Sequence, residues 1–428
     1  MKVLIISHNP ISTYQNMGKT LLSLFSGFDR EELCQLYIYP THPDIDFCSS
    51  YYRVTDKEVL KSYYRPGVPG GVVSKDSIHG GQPMYEKASD ESLYRNPKNK
   101  SHLRRMARDL MWKCSRWYNK KLKAWLDEQK PTCIFVAPGI AKFTYDIALK
   151  ISREYKIPIV TYVCDEYCLI PMPGTLIGNF QHRLFRRKFK ELMENTAHCI
   201  SISEELKQLY QTNFNVESTV IMTGSMRQIA EAPRESREIN KLSYFGNVRC
   251  NRYFSLCDIG EVLDAINKAK GTDYKLEIYS VEKNKDILNH FSGYESIEFK
   301  GFLTGEAYTE ALESADMLVH VEGFDEESIE KVKYSVSTKI ADSLAIGIPF
   351  MAYAPRGISS LEHLVRNECA LFSCNKEELR ATLEKVFDDG SLCVEYIDKA
   401  LSVAQNCHNA DNNSMKLYKI IGRVQNEK

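Results

Sequence analysis

Ser335-Val-Ser-Thr-Lys-Ile-Ala-Asp-Ser-Leu-Ala-Ile-Gly-Ile-Pro-Phe-Met-Ala-Tyr353 is the stretch on which the reading of this chain turns. Hydroxyl residues and a lysine open a predicted helix, an acid follows one turn in, and Gly-x-Pro leads into an apolar strand. The first turn of a helix carries unpaired N–H groups and the positive end of the dipole, a setting that holds phosphate. Ser337 and Thr338 add hydroxyl donors, Lys339 adds charge, and Asp342 is placed to face a ribose diol. The same run also reads as an ordinary capped helix ending at Gly347.

Working outward, short apolar runs alternate with amphipathic segments, the pattern of parallel sheets covered by helices. Strands are expected at 3–7, 33–39, 133–137, 159–163, 199–202 and 219–222, with helices at 19–25, 103–128, 143–155, 180–195 and 204–212. A polar stretch around 227–240 lacks apolar periodicity and reads as a linker. The alternation then restarts, with strands at 241–245, 276–280, 297–300, 317–321, 350–354 and 370–373. Helices are expected between them, at about 258–269, 286–291, 306–314, 338–345, 358–365 and 376–387. The expectation is an α/β protein of two Rossmann-like, doubly wound domains facing across a cleft: 1–228, a linker at 229–240, and 241–400. A helical end, 401–428, would fold back on the first domain, and 51–99 fits neither pattern, reading as a lid or a disordered insert.

The 428 residues exceed one ordinary core, and 43% hydrophobic with 26% charged content is that of a soluble globular protein. A formal charge of zero argues against a nucleic-acid partner bound through bulk charge. Thirteen cysteines without a Cys-x-x-Cys pair suit a reducing interior and no zinc site. No run has the length to cross a bilayer, so the expected location is cytoplasmic.

Other segments carry candidate chemistry. Gly18-Lys-Thr follows the first strand, but the earlier glycine of a phosphate loop is missing, Thr13 standing there; a flexible turn bringing backbone to a ligand at Gly18 is expected. In Gly246-Asn-Val-Arg249-Cys-Asn-Arg252, glycine permits close approach and two arginines suit one polyanion, unless they are solvated helix residues. Glu322-Gly-Phe-Asp-Glu-Glu327 places an acid, a candidate site residue, at a strand end, with three more acids in what reads equally as a solvated turn. Asp165, beside Glu166 at another strand end, is a candidate base or acceptor ligand, or a helix cap. Asp44 and Asp46 have metal-like spacing but no strand context. Segment 98–130 holds eleven Lys/Arg against three Asp/Glu together with all three tryptophans. Arg104, Arg105, Arg108, Trp112, Lys113 and Arg116 on one helix suit an anionic membrane surface or acceptor, or a core helix with solvated charges.

The second half resembles the donor-binding domain of retaining nucleotide-sugar glycosyltransferases of GT-B architecture. Asp342, five residues before Gly347-Ile-Pro349, matches the second acid of that family's acid–x7–acid pattern. Ser335–Lys339 looks like the Ser-Pro-Ser-Lys form of capsule and cell-wall polysaccharide transferases, and Gly246–Arg249 like the phosphate loop. Ser201-Ile-Ser-Glu204 is similar to the first-domain Val-Ser-Glu signature. Tyr334 stands where the first acid belongs, and Glu322 with Glu330 forms a pair too early for the Gly-x-Pro turn. The resemblance implies sugar transfer from a nucleoside-diphosphate donor to a hydroxyl of a lipid-linked glycan at the inner membrane face. Asp342 would hold the ribose, and Arg249, Arg252 and Lys339 would replace a metal, with no cofactor. An epimerase of the same architecture and a non-catalytic partner subunit are the rival readings.

Overall fold

The computed structural model describes residues 1–14, 16–64, 69–80, 102–170, 176–234 and 238–427, and the chain divides into two compact units. Met1–Ile221 with Asn413–Lys428 form the first, and Met222–Asn412 the second.

The first unit is built on β1 (Val3–Ser7), β2 (Leu33–Tyr37), β3 (Ser50–Arg53), β4 (Gly71–Val72), β5 (Cys133–Val136), β6 (Ile159–Val163), β7 (Thr196–Ser201) and β8 (Ser218–Val220). They form one sheet in the order β4-β3-β2-β1-β5-β6-β7-β8, parallel except for the edge pair β3–β4. β1, β2, β5 and β6 are buried at every position, as strands covered on both faces must be, which is why they read as mostly apolar runs with Ser7, Gln35 and Thr161 as the polar exceptions. On one face Phe25 meets Phe135 edge-on at 4.9 Å, and Leu417, Ile421 and Val424 from helix Ala410–Asn426 complete that core. Each such side chain contributes about 1.5–3 kcal/mol by leaving water.

Two expectations change here. The stretch 51–99 is in part regular: Ser50–Arg53 and Gly71–Val72 extend the sheet, and Asp56–Lys61 is a helix closed by a Thr55–Glu58 capping box. Residues 65–68 and 81–99 lie outside the described residues. The single helix expected at 103–128 is two, His102–Cys114 and Lys120–Gln129. Asn119 makes the break, because its Oδ1 accepts from Lys121 N and Leu122 N and so starts a new helix.

The second unit carries β9 (Lys241–Phe245), β10 (Lys275–Tyr279), β11 (Ile297–Gly301), β12 (Met317–Val321), β13 (Phe350–Tyr353) and β14 (Leu371–Ser373). All pairs are parallel, in the order β11-β10-β9-β12-β13-β14. Numbered along the chain, this is the 3-2-1-4-5-6 order of a doubly wound sheet. The stretch expected as a linker packs onto this unit, since its backbone finds acceptors there. Ala230 N donates to Ala345 O and Arg234 N to Gly347 O, each at 2.8 Å, and Arg227 pairs with Glu313 at 2.7 Å. Gly347 has φ +77°, and a Cβ would meet Ala232 O at 2.9 Å, so both conformation and space demand glycine.

Candidate functional site

In a doubly wound sheet the crossovers leave in opposite directions at one point, opening a crevice beyond the carboxyl ends of the two strands there. In the second unit those strands are β9 and β12. The turn after β9 is held by short-range bonds. Tyr244 Oη donates to Asn247 O at 2.8 Å, and Arg249 N donates to Asn247 Oδ1 at 2.8 Å. Gly246 sits against the Tyr244 ring, which a Cβ would overlap. Cys250 and Asn251 both have left-handed φ, 55° and 56°, a costly pair outside glycine. Two features hold them. Asn251 Nδ2 donates to Asp325 Oδ2 at 2.8 Å, and Gly323 leaves room for Cys250 O, which a Cβ would approach to 2.5 Å. The Asp325 carboxyl is pulled down to about 2, first by its bond with Ser328 and then by Asn251.

Helix Arg252–Lys270 starts beyond the turn. Arg252 forks onto Glu322, Nε to Oε2 at 2.7 Å and Nη2 to Oε1 at 2.9 Å. Glu322 is 2% exposed, and burial acts to raise its carboxyl. His320 and then Arg252 outweigh that, so it lies below the usual carboxylate range. His320 Nε2 is 3.3 Å from Glu322 Oε1, yet it lacks hydrogen-bond geometry and is left buried without a partner. Arg252, permanently charged and well aligned, is therefore the firmer of the two partners. Arg249 Nε donates to Glu282 Oε2 at 3.0 Å, and Glu282 Oε1 accepts from Lys283 N and Asn284 N at 2.9 Å.

Helix Thr338–Leu344 lies against the same sheet, its Ser337 N donating to Ser360 Oγ at 3.0 Å. Ser337, Lys339, Ile340 and Ser343 line a recess of about 50 Å³ with Arg252, Ser243, Phe245 and His320. Ser243 Oγ, like His320 Nε2, is buried without a hydrogen-bond partner. Two unsatisfied polar atoms in one small wall are unusual in a finished core and suit a polar guest. Thus Arg252, Ser337 and Lys339, taken from distant segments of sequence, meet at one place. Thr338 is exposed at the helix start. Asp342 accepts from Ser225 Oγ at 2.6 Å, and its charge adds to burial in raising the Tyr308 phenol.

The first unit answers the remaining expectations differently. The space at Gly18 is filled by the chain itself, Ser12 Cβ at 2.6 Å and Pro10 O at 2.9 Å from an added Cβ. Asp165 is exposed at the end of β6, its carbonyl accepting from Tyr210 Oη at 3.3 Å. Glu166 folds back onto Cys168 N and Ile170 N at 2.7 and 3.1 Å and ties the loop. Asp44 accepts from Thr13 N and Asp46 pairs with Arg30, both at 2.8 Å, and no cluster that could hold a metal occurs among the described residues.

The membrane reading of the tryptophans is corrected: Trp112, Trp117 and Trp125 are all buried. Trp112 stacks on Phe143 at 4.3 Å and donates to Asp56 Oδ1 at 2.7 Å, because a large ring gains more inside a core than at its edge. Arg108 is half-buried, bound to Asp56 at 3.0 Å and lying over the Phe143 ring. Arg104, Lys113 and Arg116 are exposed and Arg105 is half-buried, with Leu110 exposed among them. The sequence reading missed Ser243, His320 and Glu282. The available signal was a lone polar residue inside an apolar parallel strand, as in Lys-Leu-Ser243-Tyr-Phe and Met-Leu-Val-His320-Val.

A scan of protein-family models and a search of curated proteins found no match. Solved structures do match in shape. HepE of Anabaena in complex with UDP aligns with a TM-score of 0.64 at 10% identity, over 99% of this chain and 100% of that one. Sucrose-phosphate synthase from Thermosynechococcus elongatus gives 0.60 at 10% identity over 100% of both chains. WaaG, a glycosyltransferase involved in lipopolysaccharide biosynthesis, gives 0.56 at 13% identity over 98% and 99%. With two doubly wound parallel sheets and these neighbours, the fold is that of the GT-B glycosyltransferases.

Proposed function

We propose that this chain is a glycosyltransferase that moves a sugar from a nucleoside-diphosphate donor to a hydroxyl of a glycan acceptor. The observation that carries the reading is the recess of the second unit, where Arg252, Ser337 and Lys339 meet beside the unsatisfied Ser243 Oγ and His320 Nε2. Negative charge grows on the diphosphate as the glycosidic bond breaks, so fixed donors there favour the transition state over the ground state. Arg252 and Lys339 with the Ser337 hydroxyl take that role without a metal, and Arg249, three residues before Arg252 and outside the residues that line the recess, adds a further guanidinium. Asp342 receives the ribose diol by exchanging its bond with Ser225. Asp165 serves the acceptor. HepE complexes with UDP and UDP-glucose support a uridine donor, and WaaG supports a surface-polysaccharide acceptor.

The acceptor is lipid-linked, and the chain works at the inner membrane face. Its contact is the exposed set Arg104, Lys113 and Arg116 around Leu110, not the tryptophans. No helix among the described residues is long and apolar enough to cross a membrane. Flotation with phosphatidylglycerol vesicles tests this part, and an Arg104→Glu/Lys113→Glu/Arg116→Glu variant that floats like wild type removes it. For the donor, UDP, ADP, GDP, CDP and dTDP are screened by thermal shift with and without EDTA, since a ligand of the folded state raises the melting temperature. One should stabilise regardless of EDTA. Failure of all five ends the proposal, and an altered free nucleotide sugar without transfer turns it to an epimerase.

A further inference from the structure

Arg249 and Arg252 stand three residues apart on the turn after β9, and each is tied through its Nε to a buried carboxylate. The carboxylates come from opposite sides: Glu282 follows β10, Glu322 follows β12, and these two strands flank β9 in the sheet. Glu282 is 7% exposed and Glu322 2%, and both carboxyls lie below the usual range although burial opposes this. Both are ionised at neutral pH. The Arg249 side chain, by contrast, is 69% exposed. An arginine so exposed normally samples many rotamers, at about 2 kcal/mol of entropy to be lost on binding. Gripping it at Nε removes much of that freedom while both terminal amino groups stay outside the Nε contact. In the Arg252 fork, Nη1 takes no part.

We propose that Glu282 and Glu322 are positioning residues, a pair of carboxylates that aim Arg249 and Arg252 from either side of β9 at one diphosphate. This rests on the donor site proposed above. Its second consequence is electrical. Each arginine is already balanced by its glutamate, so the turn grips a diphosphate by directed N–H groups more than by excess positive charge.

That consequence gives the test a sign. If the glutamates only neutralise, Glu282→Gln frees the Arg249 charge and tightens anion binding. If they aim, the same change weakens it. The probe is whichever of the five nucleoside diphosphates above binds wild type best, titrated by calorimetry against wild type, Glu282→Gln, Arg249→Ala and the double variant. Expected is a loss of about tenfold in Glu282→Gln at unchanged melting temperature, with the double variant no worse than Arg249→Ala alone, the non-additivity of two residues acting as one unit. Glu322→Gln is the second arm where it folds, with the same direction against Arg252→Ala. Equal or tighter binding by Glu282→Gln, or additive losses in the double variant, overturns the positioning role and leaves the donor site standing. Absence of binding by wild type to all five overturns both.

Discussion

Removing Arg252 should destabilise the second unit in a pH-dependent way. Glu322 is 2% exposed, and the Arg252 fork supplies its two well-formed side-chain bonds, at 2.7 and 2.9 Å. Arg252→Ala leaves that carboxylate buried with only the misaligned His320 nearby. An uncompensated buried charge costs about 3–5 kcal/mol. In a unit the size of Met222–Asn412 each kcal/mol moves the melting point by about 2–4 °C, so a fall of roughly 6–20 °C is expected at pH 8. The sign with pH follows from the carboxyl. In wild type it is depressed below 4.5, so its contribution is full above that value and is lost as pH falls through the folded one. In the variant one of the two partners that oppose burial is gone and only His320 is left, so the carboxyl moves up from its wild-type position and the penalty is full at high pH and relieved by protonation on acidification. The gap between variant and wild type should therefore narrow from pH 8 to pH 5.5 in calorimetric melts, and Glu322→Gln added to Arg252→Ala should recover much of the loss. A variant melting within about 2 °C of wild type at pH 8, under 1 kcal/mol, would refute the reasoning, as would a gap that widens in acid.

Other expectations concern single contacts. His363 faces His408 at 3.0 Å, and burial, then His408 and Arg366, push it down to about 3. A basic group depressed from 6.5 contributes fully above that pH and loses its contribution as pH falls toward 3, so urea unfolding of wild type should lose about 2 kcal/mol from pH 6.5 to pH 5 that His363→Gln does not. Parallel slopes for the two proteins would sink this. Gly18→Ala forces a methyl to within 2.6 Å of Ser12 and should lower first-unit stability by about 1–3 kcal/mol, read by thermal unfolding; an unchanged melt would place the loop at 10–12 elsewhere. Glu166→Ala strips acceptors from Cys168 N and Ile170 N and should cost about 1–3 kcal/mol while leaving nucleotide binding intact, so selective loss of activity without destabilisation would restore Glu166 as a chemical group.

Much of the architecture is legible in the chain because buried parallel strands are largely apolar: the expected bounds of Val3–Ser7 and Lys241–Phe245 agree with the observed ones to the residue. Short edge strands carry no such constraint, which is why Ser50–Arg53 and Gly71–Val72 passed for an insert. The break at Asn119 is hidden because Lys120 and Lys121 follow it and continue the helical pattern, while the signal lies in one capping amide. At the site, residue type marked Arg252, Ser337 and Lys339, but not whom each arginine would pair with. That depends on which strand lies next to β9, a matter of sheet order that local sequence does not encode. The tryptophans misled for a related reason: an amphipathic helix reads the same whether its aromatic face meets lipid or Phe143.

Helix Ala410–Asn426 belongs largely to the first core. Leu417, Ile421 and Val424 are packed with Phe25 and Phe28, and Ser414 Oγ accepts from Gly27 N at 2.9 Å. During synthesis residues 1–221 therefore wait, with that apolar face uncovered, until helix Ala410–Asn426 has left the ribosome. The second unit, whose segments run without interruption, has no such delay. A stop codon after Asn412 removes nothing from the recess, yet it leaves a greasy surface permanently open, and such a product is expected to be captured by chaperones or aggregate.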